Sequence, residues 1–258
     1  MIVIGEKINV ITNTIRAAMR ERDKGPIQEM AVLQADAGAD YLDVNIGPAR
    51  KDGHEVMPWM VEVIQEAVDL PLSLDTVNAD AIEAGLKVHK GKAIINSTDA
   101  SRERMERLIP LAVEYNSFVI GLTYLAQPKD ANDRCAYAAD LLGAAMEFGL
   151  PLEDLILDPI FQSVCGMQEH AMEILKSVKM LTKLNDPPMK IVCGLSNVSN
   201  GAPEKVRSVL NRVYMIMAIR EGLSHAIMDP TDKDLMDTLK THKVFQNEIL
   251  YCHSYLDN

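Results

Sequence analysis

Cysteine is scarce in this chain of 258 residues, and the four that occur (Cys135, Cys165, Cys193 and Cys252) are far apart with no CxxC pair. Such spacing offers neither a disulfide framework nor a zinc site, and it suits a reducing cytoplasm. Positive charge is in the minority, with 26 Lys and Arg against 37 Asp and Glu and a formal net charge of -11. Binding to nucleic acid or to an acidic membrane needs clustered cations, so both are excluded as expectations. A small anionic ligand is not, because it needs only a local patch. No stretch approaches the ~20 apolar residues of a membrane span. The opening MIVIGEKINV lacks the basic start and long apolar run of a signal peptide. The six histidines (His54, His89, His170, His225, His242, His253) form no HExxH pair, so no metal site is expected. GxGxxG and GxxxxGKS are missing too, which leaves nucleotide binding without a motif.

What is present is a regular alternation. Short apolar runs occupy 2–4, 41–45, 71–75, 93–96, 118–122, 155–158, 190–194 and 226–229. They are rich in Ile, Val and Leu and nearly continuous, as strands buried on both faces of a parallel sheet must be. Between them lie segments with apolar residues at three- and four-residue spacing, such as MPWMVEVIQEAV (57–68) and DLLGAAMEF (140–148). Gly38, Gly53, Pro71, Gly85, Gly149 with Pro151, Pro187-Pro188 and Gly222 are read as breakers between elements. Eight strand–helix units in this length predict a closed (β/α)8 TIM barrel. No repeat or interior linker divides the chain, so residues 1–258 form a single predicted domain. Met215 and Met217, within VYMIMAI, are assigned to a core helix face, and Cys193 on the seventh strand to the core.

The ends of these runs carry polar or small residues: Glu6 and Asn9, Asp43 and Asn45, Asp75, Asn96, Thr123, Asp158, Ser196 and Asn197, Asp229. In such barrels the strand C-termini converge on one mouth, where active sites lie. The alternative for each residue is the N-cap of the next helix. A cap needs one such side chain, whereas several strand ends have two or three. Dominated by carboxylates and carboxamides, the ring makes a poor metal site and a poor phosphate clamp. It suits a flat heterocycle, since a carboxylate accepts two hydrogen bonds from a ring N–H and its neighbouring amino group.

GEKIN (5–9), LDVNIGP (42–48), LSLDT (72–76), INST (95–98), LDP (157–159) and GLSNVS (194–199) occur in order along nearly the whole chain. This set resembles the pterin-binding barrel family, most closely its methyltetrahydrofolate:corrinoid protein methyltransferases. The resemblance implies that Asp75, Asn96 and Asp158 hold the pterin ring. It places Asn197 at N5, where the methyl group leaves, and Asp158 beside it in catalysis. Gly194 and Ser196 give close approach and a further polar contact, and Asp43 and Asn45 act in support. Lys205 and Arg207, in NGAPEKVRSVLNR (200–212), are either partners of the folate glutamate tail or solvated residues opening a helix; this loop departs from the family pattern. The resemblance further implies tetrahydrofolate or 5-methyltetrahydrofolate as substrate, a cobalamin (corrinoid) delivered by a separate corrinoid protein, no protein-bound metal, and a homodimer. DGHEVM (52–57) is a near miss to the corrinoid-binding DxHxxG, standing in a barrel loop, and is discounted. The rivals are a dihydropteroate synthase, which needs cations for a diphosphate where this chain has Asn197-Val198 and MDPTD (228–232), and a folate-binding barrel without catalysis. The direction of transfer stays open, with a slight lean toward a demethylation pathway.

Overall fold

The computed structural model describes residues 1–48 and 51–256. The element order is β1 (Ile2–Asn9), α1 (Asn13–Glu21), α2 (Gly25–Asp36), β2 (Tyr41–Asn45), α3 (Gly53–Ala67), β3 (Leu72–Asp75), α4 (Ala79–Val88), β4 (Ile94–Thr98) and α5 (Arg102–Glu114). It continues with β5 (Phe118–Leu122), α6 (Ala131–Phe148), β6 (Leu155–Asp158), the single turn α7 (Val164–Met167), α8 (Ala171–Leu181), β7 (Lys190–Gly194), α9 (Glu204–Glu221), β8 (His225–Met228) and α10 (Lys233–Phe245). The eight strands are parallel and close in sequence order, β8 pairing back onto β1. This is the predicted (β/α)8 barrel.

Two-residue alternation along each strand sorts the core into two bodies. Val3, Val119, Leu155, Leu157, Ile191 and Cys193 face outward and join the large layer between barrel and helices. Ile4, Ile94, Ile120, Ile156 and Val192 face inward and form a fully buried plug. The next inward position on each of those five strands is therefore fixed: Glu6, Asn96, Leu122, Asp158 and Gly194. Four of the five are polar or lack a side chain, so the apolar plug is the floor of a polar mouth.

Several boundaries differ from the sequence reading. β1 runs on to Asn9 through a register shift between Gly5 and Ile8, and α3 starts at Gly53, four residues before the apolar spacing becomes visible. Gly53 and Gly85 are not breakers. Gly85 lies inside α4, and a Cβ there would sit 2.6 Å from Met57 Cγ, so it exists to let α3 and α4 touch. Met217 is also corrected: it is 37% exposed while Met215 is fully buried, because two helical residues subtend about 200°.

Candidate active site

The mouth is held together by hydrogen bonds among the inward side chains. Asp43, buried beneath the rim, accepts from Ser73 Oγ at 2.6 Å and from Asn96 Nδ2 at 2.9 Å. Asn45 donates from Nδ2 to Asp75 Oδ2, while its own Oδ1 accepts from the Gly47 N–H. Strand register makes these neighbours: Asn45 is level with Asp75, and Asp75 with Asn96. Ser73, which the sequence reading passed over, shares the inward parity of Asp75, and that alternation was the signal for it.

Asp158 is fixed from three sides. Its carbonyl accepts from Thr123 N–H and Oγ1, and its Oδ1 accepts from Ile160 N–H at 2.6 Å. Pro159 O, next in the chain, accepts from Nε of the fully buried Arg134 at 3.0 Å. Phe161 packs edge-on to Tyr214 with ring centroids 5.0 Å apart. The second carboxylate oxygen is thus presented from a rigid loop.

Across the barrel, a short turn of 3-10 helix (Leu195–Ser199) follows β7. It leaves Asn197 exposed and seats Ser196 beside β1, with Ser196 Oγ 2.6 Å from Glu6 Oε1. A Cβ on Gly194 would lie 3.1 Å from Asn197 Nδ2. What the missing side chain of Gly194 admits is thus the Asn197 carboxamide. Lys7, turned by the irregularity in β1, reaches Asp229 Oδ2 at 2.9 Å and is a cation of the mouth that strand alternation could not reveal. Lys205 and Arg207 are both exposed on the first turn of α9, Arg207 donating from Nε to Ala202 O at 2.8 Å.

The helix-cap alternative is answered by the caps themselves. The side chains that cap α4, α6 and α10 are Asn78, Asp130 and Asp232, each three or more residues beyond its strand. Asp75, Asn96, Asp158 and Asn197 cap none of these helices. Asp158 and Asp229 do bind the N–H two residues on; that local turn leaves the second oxygen of Asp158 unspent, whereas the second oxygen of Asp229 holds Lys7.

Electrostatically the ring is short of donors. Burial pushes the Asp158 carboxyl up to about 7, opposed by the Ile160 N–H. Glu6 also rises to about 7, chiefly by burial; the Ser196 hydroxyl opposes this and the Asp229 charge adds to it. Asp75 is raised by burial and then by Asp43, against the hydrogen bond from Asn45; Asp43 is raised by burial, against Ser73 and Asn96. Two buried carboxyls in one locality retain a proton more readily than either alone. Partial burial would raise Asp229 as well, but Thr231 and Lys7 outweigh it and hold that carboxylate below its usual range. Among the described residues, no three His, Cys, Asp or Glu side chains are grouped to hold a metal ion.

An apolar floor, a rim with more carboxylate acceptors than donors, and an exposed carboxamide on the turn after β7 suit a flat, donor-rich heterocycle. The chain belongs to the pterin-binding enzyme family, which it matches over residues 5–229. It is similar to the methylcorrinoid:tetrahydrofolate methyltransferase of Eubacterium limosum, with 27% identity over 260 aligned positions covering 99% of this chain and 94% of that one. It is also 26% identical to the methionine synthase of Mycobacterium tuberculosis over 88% of this chain, which spans 20% of that longer protein. Among solved structures, the dihydropteroate synthase of Thermus thermophilus has a TM-score of 0.68 at 20% identity, covering 97% and 94% of the two chains. That of Xanthomonas albilineans with 4-aminobenzoic acid has a TM-score of 0.70 at 18% identity, covering 97% and 93%. These last two likenesses establish the barrel and carry no activity with them.

Proposed function

We propose that this protein moves a methyl group between N5 of tetrahydrofolate and the cobalt of a corrinoid presented by a separate protein. The observation that carries the reading is the division of the mouth. Asp75, Asn96 and Asp158 offer acceptors around its rim for the N–H and amino edge of a pterin, and Asn197 is exposed on the turn after β7. A methyl group on N5 sits on a tertiary amine, which leaves poorly unless the nitrogen gains a proton or a strong hydrogen bond as the C–N bond breaks. Cobalt(I) supplies the electron pair for the new bond, so no protein nucleophile is required. In the opposite direction N5 attacks the methyl group on cobalt(III) and sheds its proton. The similarity to a methylcorrinoid:tetrahydrofolate methyltransferase supports that second direction.

Dihydropteroate synthesis is disfavoured by the same geometry. The residues after β7 (GLSNVS) and β8 (MDPTD) contain no cation to hold a diphosphate, and the Lys7 ammonium faces Asp229. Purified protein with cobalt(I) corrinoid and methyltetrahydrofolate, followed by cobalt(I) absorbance without oxygen, should show protein-dependent decay. Methylated corrinoid and tetrahydrofolate should show the reverse. Tight folate binding with no transfer in either direction, using both free cobalamin and a corrinoid protein, would leave only a folate-binding barrel.

A homodimer and a cytoplasmic site complete the reading. Among the described residues no helix is long and apolar enough to cross a membrane, and all four cysteines are free, which suits a reducing compartment. The outer face of α9 carries Val206 (36% exposed), Val209 (48%), Val213 (57%) and Met217 (37%), a seam that a solitary barrel has no reason to keep apolar. An antiparallel two-fold pairing would oppose Val206 to Met217 and Val209 to Val213, and bring Glu204 of one copy beside Arg220 of the other. Val213→Glu should therefore halve the sedimenting mass; an unchanged mass would place any dimer contact elsewhere.

A further inference from the structure

The reaction exchanges one proton at N5, and the ring-binding residues leave open where that proton is kept. Resting on the methyl-transfer reading above, we propose that Glu6 and Ser196 together exchange this proton, Glu6 storing it and the Ser196 hydroxyl relaying it toward the substrate edge beside Asn197. Three features of the mouth bring the pair together. Glu6 lies two residues beyond inward Ile4 of the plug, and its carboxyl is buried beside the charges of Asp229, Lys7 and Asp43 at the mouth. Its Oε1 is 2.6 Å from Ser196 Oγ, a contact joining β1 to the turn after β7 across 190 residues of sequence. Ser196 is the chain neighbour of Asn197 on that turn, so any movement of the hydroxyl is tied to the carboxamide assigned to N5.

The surroundings suit a carboxyl that changes protonation near neutrality. Burial favours the protonated form, as do the charges of Asp229 after β8 and Asp43 on β2; Lys7 on β1 and the Ser196 hydroxyl favour the ionised form. Cys193 on β7 is buried and turned outward into the barrel–helix layer; burial raises its thiol, and the Glu6 charge adds to this from behind the strand. The balance sits at about 7, where a general acid or base works in both directions. During demethylation of methyltetrahydrofolate, the N5–CH3 bond breaks with its electron pair left on nitrogen. The Ser196 proton passes to N5, and the Glu6 proton replaces it. During methylation of tetrahydrofolate the N5–H bond gives its proton to Ser196, which passes its own to the Glu6 carboxylate. Atoms and charge balance in each case, with cobalt carrying the two electrons.

The test is single-turnover methyl transfer between the folate and free cobalamin across the neutral pH range, with tetrahydrofolate affinity measured alongside by calorimetry. Glu6→Gln should keep affinity within about threefold and lower the transfer rate at neutral pH by about a hundredfold. At saturating folate, where the Asp158 titration does not intrude, its pH–rate profile should lose the break near 7 expected of the unaltered protein. Ser196→Ala, with Glu6 intact, should lose the same break. Infrared difference spectra of the unaltered protein minus Glu6→Gln should show a protonated carboxyl below the break and a carboxylate above it. Superimposable profiles for Glu6→Gln and the unaltered protein overturn this role alone, as does a loss of affinity equal to the loss of rate. An unaltered protein that binds tetrahydrofolate but transfers no methyl group to or from any corrinoid overturns the methyl-transfer function and this role together.

Discussion

Asn197→Ala is expected to lower the rate of methyl transfer by about a hundredfold while changing tetrahydrofolate affinity by less than about threefold. The asymmetry follows from where the carboxamide sits. The rim of the mouth, Asp75, Asn96 and Asp158, is hydrogen-bonded into the barrel whether or not N5 is reacting. Asn197 lies exposed on the turn after β7, outside that network. Under the proposed function its contact with N5 would strengthen only as the nitrogen lone pair develops or is withdrawn, and would contribute mainly to the transition state. Removing one such donor from a water-excluded site costs about 2.7–4 kcal/mol. Gly194→Ala should reproduce part of the loss without touching Asn197 chemically. Its φ of -81° suits alanine, but the new Cβ would lie 3.1 Å from Asn197 Nδ2 and displace it. Single-turnover rates with parallel binding isotherms decide the matter. Equal losses of rate and affinity would make Asn197 an ordinary binding contact.

The parts of this site that were legible in the sequence are those set by periodicity. β2, β5 and β7 run over the very residues of their apolar runs. Once Ile4, Ile94, Ile156 and Val192 are inward, Glu6, Asn96, Asp158 and Gly194 follow two residues later. Helix starts were less legible, since α3 begins at Gly53, after its N-cap Asp52, before any apolar residue recurs. Gly85 was misread because glycine in a sequence signals freedom of the backbone, whereas here it signals the close approach of Met57. Lys7 was invisible for a different reason. Strict alternation from Ile4 turns it outward, and only the register shift in β1 brings its ammonium to Asp229. Thr123 was legible as a polar strand end, but it is spent on the Asp158 carbonyl, and Arg134, which grips the next carbonyl at Pro159, leaves no pattern that spacing could reveal.

Asp158→Asn should separate stability from binding in opposite directions. The folded carboxyl is pushed up to about 7 by burial, against about 3.9 for an unfolded aspartate. A group whose folded value is raised favours the folded state while protonated in both states. That advantage is lost as pH climbs from the unfolded value through the folded one. The empty protein therefore carries a burial cost at Asp158 that is complete above about pH 8 and absent below about pH 4, on the order of 2–4 kcal/mol. Asparagine keeps an oxygen for the Ile160 N–H and removes the ionisation, so the variant should melt higher by roughly 5–10 °C at about pH 8, the gap closing toward pH 4. Folate binding should move the other way. A pterin edge offers two donors to the carboxylate, and an amide can accept one and must oppose the other with its own N–H. Affinity should fall by about a hundredfold, near the value of one hydrogen bond to a charged group. Because the ligand selects the ionised form, affinity in the unaltered protein should drop about tenfold per unit of pH below 7 from this group, and the asparagine variant should lose that dependence. Melting curves at the two extremes of pH and calorimetric titrations with tetrahydrofolate test both arms. A variant that melts lower at alkaline pH, or one that binds as tightly as the unaltered protein, would remove Asp158 from the rim of the site.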